Sequence, residues 1–570
     1  MAAWFDTHPS AYWIPAWTGF ALLAVICLGP LVASLFSEKA GDRLEALVPR
    51  WLFITALGVA FCAFRWPVLC ANEELNPDES QIIAGAITLQ QDPIYWRAVD
   101  GTTHGPMDSY PLLAARLLGR PLDYSSARLI GSLLMLGAVL CLYRTLACFQ
   151  SEMLARTGCL PAFCFFSFST FWDFVHYSSE HVPVFLLALG AWLLAAELAA
   201  VPADGNKRSG RWFAAGLVLG AVPLGKLQGA PMAAALLLVA SVFTLATGGR
   251  PVANRFRRVL VLAGGALTLP AFFALLTVAT GQGRDVWLSY IVQNLQYTGN
   301  SHHTREEMLR QFWVYVAMAP GFYVLFSGAT VFAGLTILRT PGFSRPALRL
   351  LILAVGYILA GLAAVLTPGR QYTHYLLWLS VPTVLLCAAL LGAWWEAAGA
   401  DPRGGRWQRG LVLAGFAGLA LAPQVSHRLN TPHDYLGRLG SYTAKPVPPV
   451  VKIIRQYARP GEHLAVWGWM CRYYVLTGMA QATRESHTER LISYSPNREY
   501  YRARYLSDLQ RTAPPVFIDA VGPGNFVYQQ RDVAHELVPE LAAYIAAHYK
   551  QVADVDGTRI YARHDRLGNP

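Results

Sequence analysis

Residues 50–80 read RWLFITALGVAFCAFRWPVLCANEELNPDES. The first part is an almost unbroken apolar run, and the last nine residues hold Glu73, Glu74, Asp78 and Glu79. A hydrocarbon core is crossed by about 20 mostly apolar residues. The run 50–71 has that length, so the acids that follow it must emerge at a membrane surface. Comparable runs lie near 12–36, 127–148, 153–171, 182–201, 211–224, 228–247, 257–280, 311–338, 347–367, 374–397 and 409–425. Together they predict about 12 transmembrane helices. From Gln424 onward charges become frequent and long apolar runs stop. The expected division is a membrane domain over 1–425 and an extramembrane domain over 426–570.

Composition agrees with this division. Of 570 residues, 54% are hydrophobic and 14% charged, against about 25% charged in soluble chains. The net charge of +11 does not point to nucleic acid, because the membrane-domain Lys and Arg sit mostly in short loops between apolar runs. Of nine cysteines, only Cys471 lies beyond the membrane domain, which makes neither a disulfide framework nor a CxxC metal pattern. The N-terminus Met-Ala-Ala-Trp-Phe-Asp lacks a basic n-region, so the first span is expected to be retained rather than cleaved.

Loop charge assigns sides. Lys39, Arg43 and Arg50; Arg144 and Arg156; Lys207, Arg208 and Arg211; Arg250, Arg255, Arg257 and Arg258; Arg339, Arg345 and Arg349; and Arg403, Arg406 and Arg409 fall in one set of loops. The other set is poor in basic residues. Lys and Arg favour cytoplasmic loops, so the second set faces outward: the N-terminus, 72–126, 172–181, 281–310, 368–373 and the C-terminal domain. This alternation requires 211–247 to be a hairpin broken at Gly225-Lys226; read as one long helix, it fails. Within the large external loop 72–126, Ile82, Ile83, Ala86 and Ile87, then Leu112, Leu113, Leu117 and Leu118, give two short helices with one apolar face each. Such helices are expected to lie along the membrane surface. The 281–310 segment reads as a flexible loop, with Trp287, Tyr290 and Tyr297 as interfacial aromatics and His302-His303 as solvated loop.

The C-terminal domain reads as α/β. Helices are predicted over 449–457, 500–511 and 536–548, strands over 463–467 and 515–521, and a hairpin of 551–554 with 558–562 about Asp556-Gly557. Trp467 and Trp469 suit either a core strand or a sugar-stacking surface. No glycine-rich phosphate loop is present.

Asp78-Glu79 is the leading candidate for chemistry. A carboxylate at the membrane surface can take a proton from a hydroxyl or hold a divalent cation against a phosphate. The same residues also make a good helix start, with Asn76 as cap, Pro77 at the first position and two acids at the positive end of the dipole. Spacing alone favours that structural reading. Asp173, His176, Glu180 and His181 cluster after the fourth span, as acceptor or metal residues or as the wet end of a hairpin. Lys226 at the hairpin tip can meet a phosphate or simply reach the interface. Arg370 and His374 stand at the mouth of a later span, and Arg suits phosphate.

The order of motifs resembles the GT-C superfamily of polyprenyl-phosphate-sugar-dependent glycosyltransferases, in the branch of the protein O-mannosyltransferases (family 39) and the lipid A aminoarabinose transferase. The matching segments are Pro77-Asp78-Glu79, His104-Gly105-Pro106-Met107-Asp108-Ser109-Tyr110-Pro111, Ser126-Ala127-Arg128-Leu129, Gly220–Lys226 with Gly229, and Gly369-Arg370 through His374-Tyr375-Leu376-Leu377 and Pro382. Gly-Pro-Met in place of Pro-Pro-Leu, and the added acid Asp108, are departures. The resemblance implies Asp78 as the base on an acceptor hydroxyl, with Glu79 supporting it or helping to bind a cation. The other outward polar residues fit such a site: Lys226, Arg370 and His374 as donor-phosphate residues, and Asp173, His176, Glu180, His181 and Asp108 as acceptor or metal residues. A divalent metal cation is the one cofactor it allows. The partners are a polyprenyl-phosphate-linked sugar, the bilayer and a glycan, lipid or protein acceptor; composition and the outward-facing domain point to a bacterial inner membrane with a periplasmic site, or to a single-membrane cell. A transporter or flippase is the alternative class. It would place ionisable groups mid-span and show internal repeats, and the spans hold few acids and no convincing repeat. A scaffold or receptor working through its C-terminal domain is a third class, weakened by that domain's lack of a recognisable site.

Overall fold

The computed structural model describes residues 2–199, 209–246, 251–299, 304–339, 342–370, 372–399, 404–431 and 446–568. Among the described residues, fourteen helices of 13 residues or more carry the membrane half: α1 (Pro9–Phe36), α2 (Arg50–Cys70), α3 (Pro77–Leu89), α4 (Tyr124–Leu146), α5 (Glu152–Phe168), α6 (His181–Leu198), α7 (Ser209–Gly225), α8 (Ala230–Ala246), α9 (Val252–Ala279), α10 (Arg305–Met318), α11 (Pro320–Arg339), α12 (Arg345–Leu366), α13 (Leu377–Gly399) and α14 (Gly405–Asn430). Among the described residues ten helices are long and apolar enough to cross a membrane, and the chain is a multi-pass membrane protein. The other two expected spans, 153–171 and 211–224, are helices of 17 residues each. The expected span 311–338 is split: Ala319 leaves the helix, and Pro320, which has no N–H to continue it, starts α11. The last span continues to Asn430, beyond the expected boundary at 425.

The 211–247 stretch is two helices. Gly216 lies against the Leu262 carbonyl and Gly220 against that of Ala266, so α7 and α9 run in the same direction. The helix between them, α8, must run back. Glycine lets these two backbones touch, the small-residue contact that replaces hydrophobic drive inside lipid.

The two expected sets of loops collect at opposite ends. At one end Arg50 pairs with Glu152 at 3.0 Å, Arg409 with Glu38 at 3.0 Å, and Arg349 donates to the Leu198 carbonyl at 3.0 Å. At the other end lie the acidic loop after α2, the 172–181 segment, the α7–α8 tip and residues 372–376, and on that side the C-terminal domain docks against α3, Asp100 and Asp285.

That domain holds α15 (Pro449–Tyr457), α16 (Arg472–Thr477), α17 (Arg498–Thr512) and α18 (Pro539–His548), with strands β1 (His463–Gly468), β2 (Ala480–Gln481), β3 (Val516–Ala520), β4 (Tyr549–Val555) and β5 (Thr558–Arg563). The sheet order is β2-β1-β3-β5-β4; β1 is parallel to β2 and β3, and β5 is antiparallel to β3 and β4. Alternation sorts the strand residues. Ala465, Trp467, Phe517 and Tyr561 face α17 and α18, while Leu464, Val466, Ile518 and Ile560 face α15. Asp556 and Gly557 both have positive φ, as a two-residue hairpin turn requires.

Helix α3 corrects one expectation. It does not lie on a membrane surface with a single apolar face; every residue from Glu79 to Leu89 is buried. Ile82, Ile83, Ala86 and Ile87 pack on Leu112, Tyr124 and Tyr177, while Ala84 packs into the C-terminal core. Thr88 Oγ1 accepts from the Gln481 amide at 2.9 Å. The C-terminal domain takes the place that lipid was expected to fill. The 281–310 segment also departs from expectation: residues 283–299 are helical, Tyr290 is buried and Trp287 is exposed. The Tyr297 side chain and His302-His303 lie outside the described residues.

Candidate functional site

Local sequence builds the start of α3 as expected. Asn76 Oδ1 accepts from the Asp78 amide at 2.9 Å, with Pro77 in the first turn. The two acids that follow are then treated differently by the fold. Glu79 is fully buried: Arg128 donates from Nε to Oε1 at 2.9 Å and from Nη2 to Oε2 at 2.5 Å, and the Tyr177 amide donates to Oε1 at 2.8 Å. Arg128 also donates to the carbonyls of Ala71 and Glu73. A planar guanidinium thus ties the end of α2, the start of α3 and the start of α4. Asp78 is half-buried, and no described side chain bonds its carboxylate. It stands at the seam with the C-terminal domain, near Glu74 and Cys471.

Asn76 joins this helix start to the next cluster, because its Nδ2 donates to Asp173 Oδ1 at 3.1 Å. Asp173 also accepts from the His374 amide at 2.9 Å and from Thr373 Oγ1, and His374 Nδ1 is 3.3 Å away. His374 Nε2 lies 4.0 Å from Glu180, which forms an ion pair with Lys226. Lys226 Nζ further donates to Ser179 Oγ at 3.0 Å and sits 4.6 Å from the centre of the Tyr375 ring. Burial alone would push the Glu180 carboxyl up, but Lys226 and His374 outweigh it and bring it to about 2. Asp173 is also held below the carboxylate range; burial opposes this, and His374 and His176 prevail. The His104 ring, buried and close to Lys226, is lowered to about 3.

Lys226 lines a cavity of about 160 Å³ with Thr103, Gln228, Asn294, Leu295 and Pro368. A cation at the wall of a largely apolar cavity suits an anion that carries an apolar tail.

Five of the expected residues therefore converge: Asp173, His176, Glu180, Lys226 and His374. Asp173, His176 and His374 present three ligand-type atoms within 4.8 Å of one another. His176 Nδ1 faces the Trp172 carbonyl at 3.0 Å and leaves a buried Nε2 with no hydrogen-bond partner among the described residues. His181 is drawn elsewhere, since its Nδ1 accepts from the Ser178 amide at 3.1 Å. Arg370 lies near Tyr315 of α10. Asp108 is fully buried with neither carboxylate oxygen hydrogen-bonded among the described residues, and burial followed by the nearness of Glu180 pushes it well up. Trp467 is core, while Trp469 is partly buried and stacks on His487 with 4.0 Å between ring centres.

Residues with no role in the sequence reading are Arg128, Asn76 as a partner of Asp173, Ser179, Thr373 and the Tyr375 ring. Arg128 had a signal: an arginine just inside a span must find a buried partner.

No family model matches the chain, and no curated protein matches it in sequence. Its fold does match solved structures. ArnT from Cupriavidus metallidurans bound to undecaprenyl phosphate superposes with a TM-score of 0.56 at 14% identity, covering 92% of this chain and 100% of that one. The same protein in the apo state gives 0.54 at 13% identity, covering 91% and 99%. At such identity the match speaks for architecture, and in architecture the chain has the GT-C fold, a polytopic α-helical membrane domain with a C-terminal extramembrane α/β domain.

Proposed function

We propose that this protein is a membrane glycosyltransferase that moves a sugar from a polyprenyl-phosphate carrier to a hydroxyl of a glycan, lipid or protein acceptor. The observation that carries the reading is the split between two adjacent acids. Glu79 is saturated by Arg128 and the Tyr177 amide, so it holds α3 in place. Asp78 keeps its carboxylate open at the same helix start. Asp78 takes the proton of the acceptor hydroxyl as that oxygen attacks the anomeric carbon. The bond from that carbon to the phosphate oxygen breaks, and the carrier phosphate leaves with the bonding pair. Lys226, at the cavity wall, meets the phosphate charge, and the cavity takes the first apolar atoms of the tail. His374 and Asp173 orient Glu180 and so Lys226. Asp173, His176 and His374 are the residues that would hold a divalent cation, since a carboxylate and two imidazoles suit zinc; bound there, it would add positive charge beside the phosphate. The working face is the one that bears the C-terminal domain, read as the periplasmic side of a bacterial inner membrane. The transporter alternative has less support, because these ionisable groups gather at one end of the bundle.

The test uses the purified full chain in liposomes with an undecaprenyl-phosphate-linked sugar and an envelope extract as acceptor source. Asp78→Asn should lower transfer by about 10²–10⁴, the usual worth of a general base, with folding unchanged. Full activity in that variant sinks the assignment.

A further inference from the structure

The C-terminal domain meets the membrane half through buried charge. Arg504 pairs with Asp100 at 2.5 Å, with Glu485 at 2.5 Å and with Asp285 at 2.7 Å. Arg490 pairs with Asp100 at 2.7 Å. Asp100 and Asp285 belong to external segments of the membrane half; the two arginines and Glu485 belong to the C-terminal domain. Asp100, Glu485, Arg490 and Arg504 are all buried. The backbone joins too, since the Asp100 amide donates to the Arg484 carbonyl at 2.8 Å.

A short stretch of chain leads from this latch to the donor lysine. Asp100 Oδ1 accepts from the Thr102 amide at 3.0 Å. Thr102 has φ +60°, a conformation that a β-branched residue keeps only when its surroundings impose it. The His104 amide closes the turn on the Gly101 carbonyl at 3.2 Å. His104 then forms an antiparallel bridge with Lys226, and the Gly105 amide donates to the Gly225 carbonyl at 2.6 Å. Gly105 is needed there, because a Cβ would strike the Leu224 carbonyl. One carboxylate therefore receives two arginines from the C-terminal domain and also caps the strained turn that sets the backbone beside Lys226.

We propose that Asp100 is a positioning residue through which the docked C-terminal domain completes the donor-phosphate site. Arg490 and Arg504 fix Asp100, Asp100 fixes the 101–105 turn, and the turn fixes the α7–α8 tip that presents Lys226. This rests on Lys226 being the phosphate-binding residue of the proposed reaction. The reaction then requires the C-terminal domain for donor binding as well as for any contact with the acceptor.

The experiment measures binding of undecaprenyl phosphate to the full chain and the donor KM and kcat of transfer. Asp100→Asn breaks the latch. Gly105→Ala leaves the latch whole and disturbs only its far end. Arg559→Met, which removes an ion pair with Asp519 inside the C-terminal domain, is the control. Both test variants should weaken binding and raise donor KM on the order of ten- to a hundredfold, as expected for a misplaced binding group, with kcat at saturating donor retained and the control unchanged. Binding by Gly105→Ala and folded Asp100→Asn within about twofold of wild type, a margin worth about 0.4 kcal/mol, overturns the proposal, as does equal weakening by Arg559→Met. A wild-type chain that does not bind undecaprenyl phosphate overturns the donor reading itself, an outcome distinct from wild-type binding with unaffected variants.

Discussion

Replacing Glu79 by Gln and Asp78 by Asn should have opposite consequences, although both change one carboxylate to an amide. Glu79 is fully buried and accepts two hydrogen bonds from Arg128 and one from the Tyr177 amide. Gln can still accept from Tyr177, but its NH₂ would face the guanidinium. Arg128, itself fully buried, would keep its Nε bond to the amide oxygen and its bonds to the Ala71 and Glu73 carbonyls, but lose the Nη2 bond and its negative partner. Breaking one side of a buried pair costs about 3–5 kcal/mol, a factor on the order of 10² to 10³ or more in folded population. Asp78 is half-buried and has no partner to lose among the described side chains, so Asp78→Asn should change stability by less than about 0.5 kcal/mol. Unfolding in mixed micelles with rising denaturing detergent, read by far-UV circular dichroism and gel filtration, compares the two directly. Sugar transfer is measured on whatever protein stays folded. The reasoning is refuted if Glu79→Gln is as stable as wild type, or if Asp78→Asn loses more than about 2 kcal/mol, well above the range of a partner-free site.

Lys226→Met should abolish saturable binding of undecaprenyl phosphate by the protein that folds, and should also lower stability, because buried Glu180 loses its cation partner; retained affinity would remove Lys226 from the donor site. Gly220→Leu should destabilise the membrane domain by about 1–3 kcal/mol through overpacking, because its side chain meets the Ala266 backbone; an unchanged detergent-unfolding midpoint would refute the parallel α7–α9 contact. The inter-domain latch should respond to acid in a defined sense. Burial opposes ionisation of Asp100, but Arg490 and Arg504 prevail and hold its carboxyl below the ordinary range. A depressed carboxyl adds stability that is complete above about pH 4, the unfolded value, and fades only as pH falls toward the folded one. Glu485 acts in the opposite sense, since burial, aided by Asp100, raises it despite Arg504. Protection of the 100–105 amides from hydrogen exchange should thus persist down to about pH 4 and decline below it, and Asp100→Asn should remove that acid limb.

Much of the fold was legible because lipid imposes long, regular signals. All twelve apolar runs are helical over their described residues, and the charge of their loops sorted them to the two ends the structure shows. The strands at 463–468 and 516–520 and the hairpin at Asp556-Gly557 were equally plain, because both faces of that sheet are buried and its turn needs positive φ. What misled was always a partner distant in sequence. Helix α3 was read as lying on lipid because the half of its surface that holds Ala84 and Thr88 carries no mark of the domain, almost four hundred residues later, that covers it. The 281–310 segment was read as flexible because Asp285 shows no sign in sequence of the arginines at 484 and 504 that pin it.

The acidic pair marks the same limit. The sequence by itself determined that Asp78 and Glu79 stand at a helix start just beyond a span, because capping and hydropathy act over a few residues. Only the tertiary structure decided which of them is open. Arg128 and Tyr177 reach Glu79 from α4 and from the segment before α6, and such convergence depends on packing that no local pattern encodes. The same packing took His374 from a span mouth to Asp173, and set Lys226 between Glu180 and a cavity.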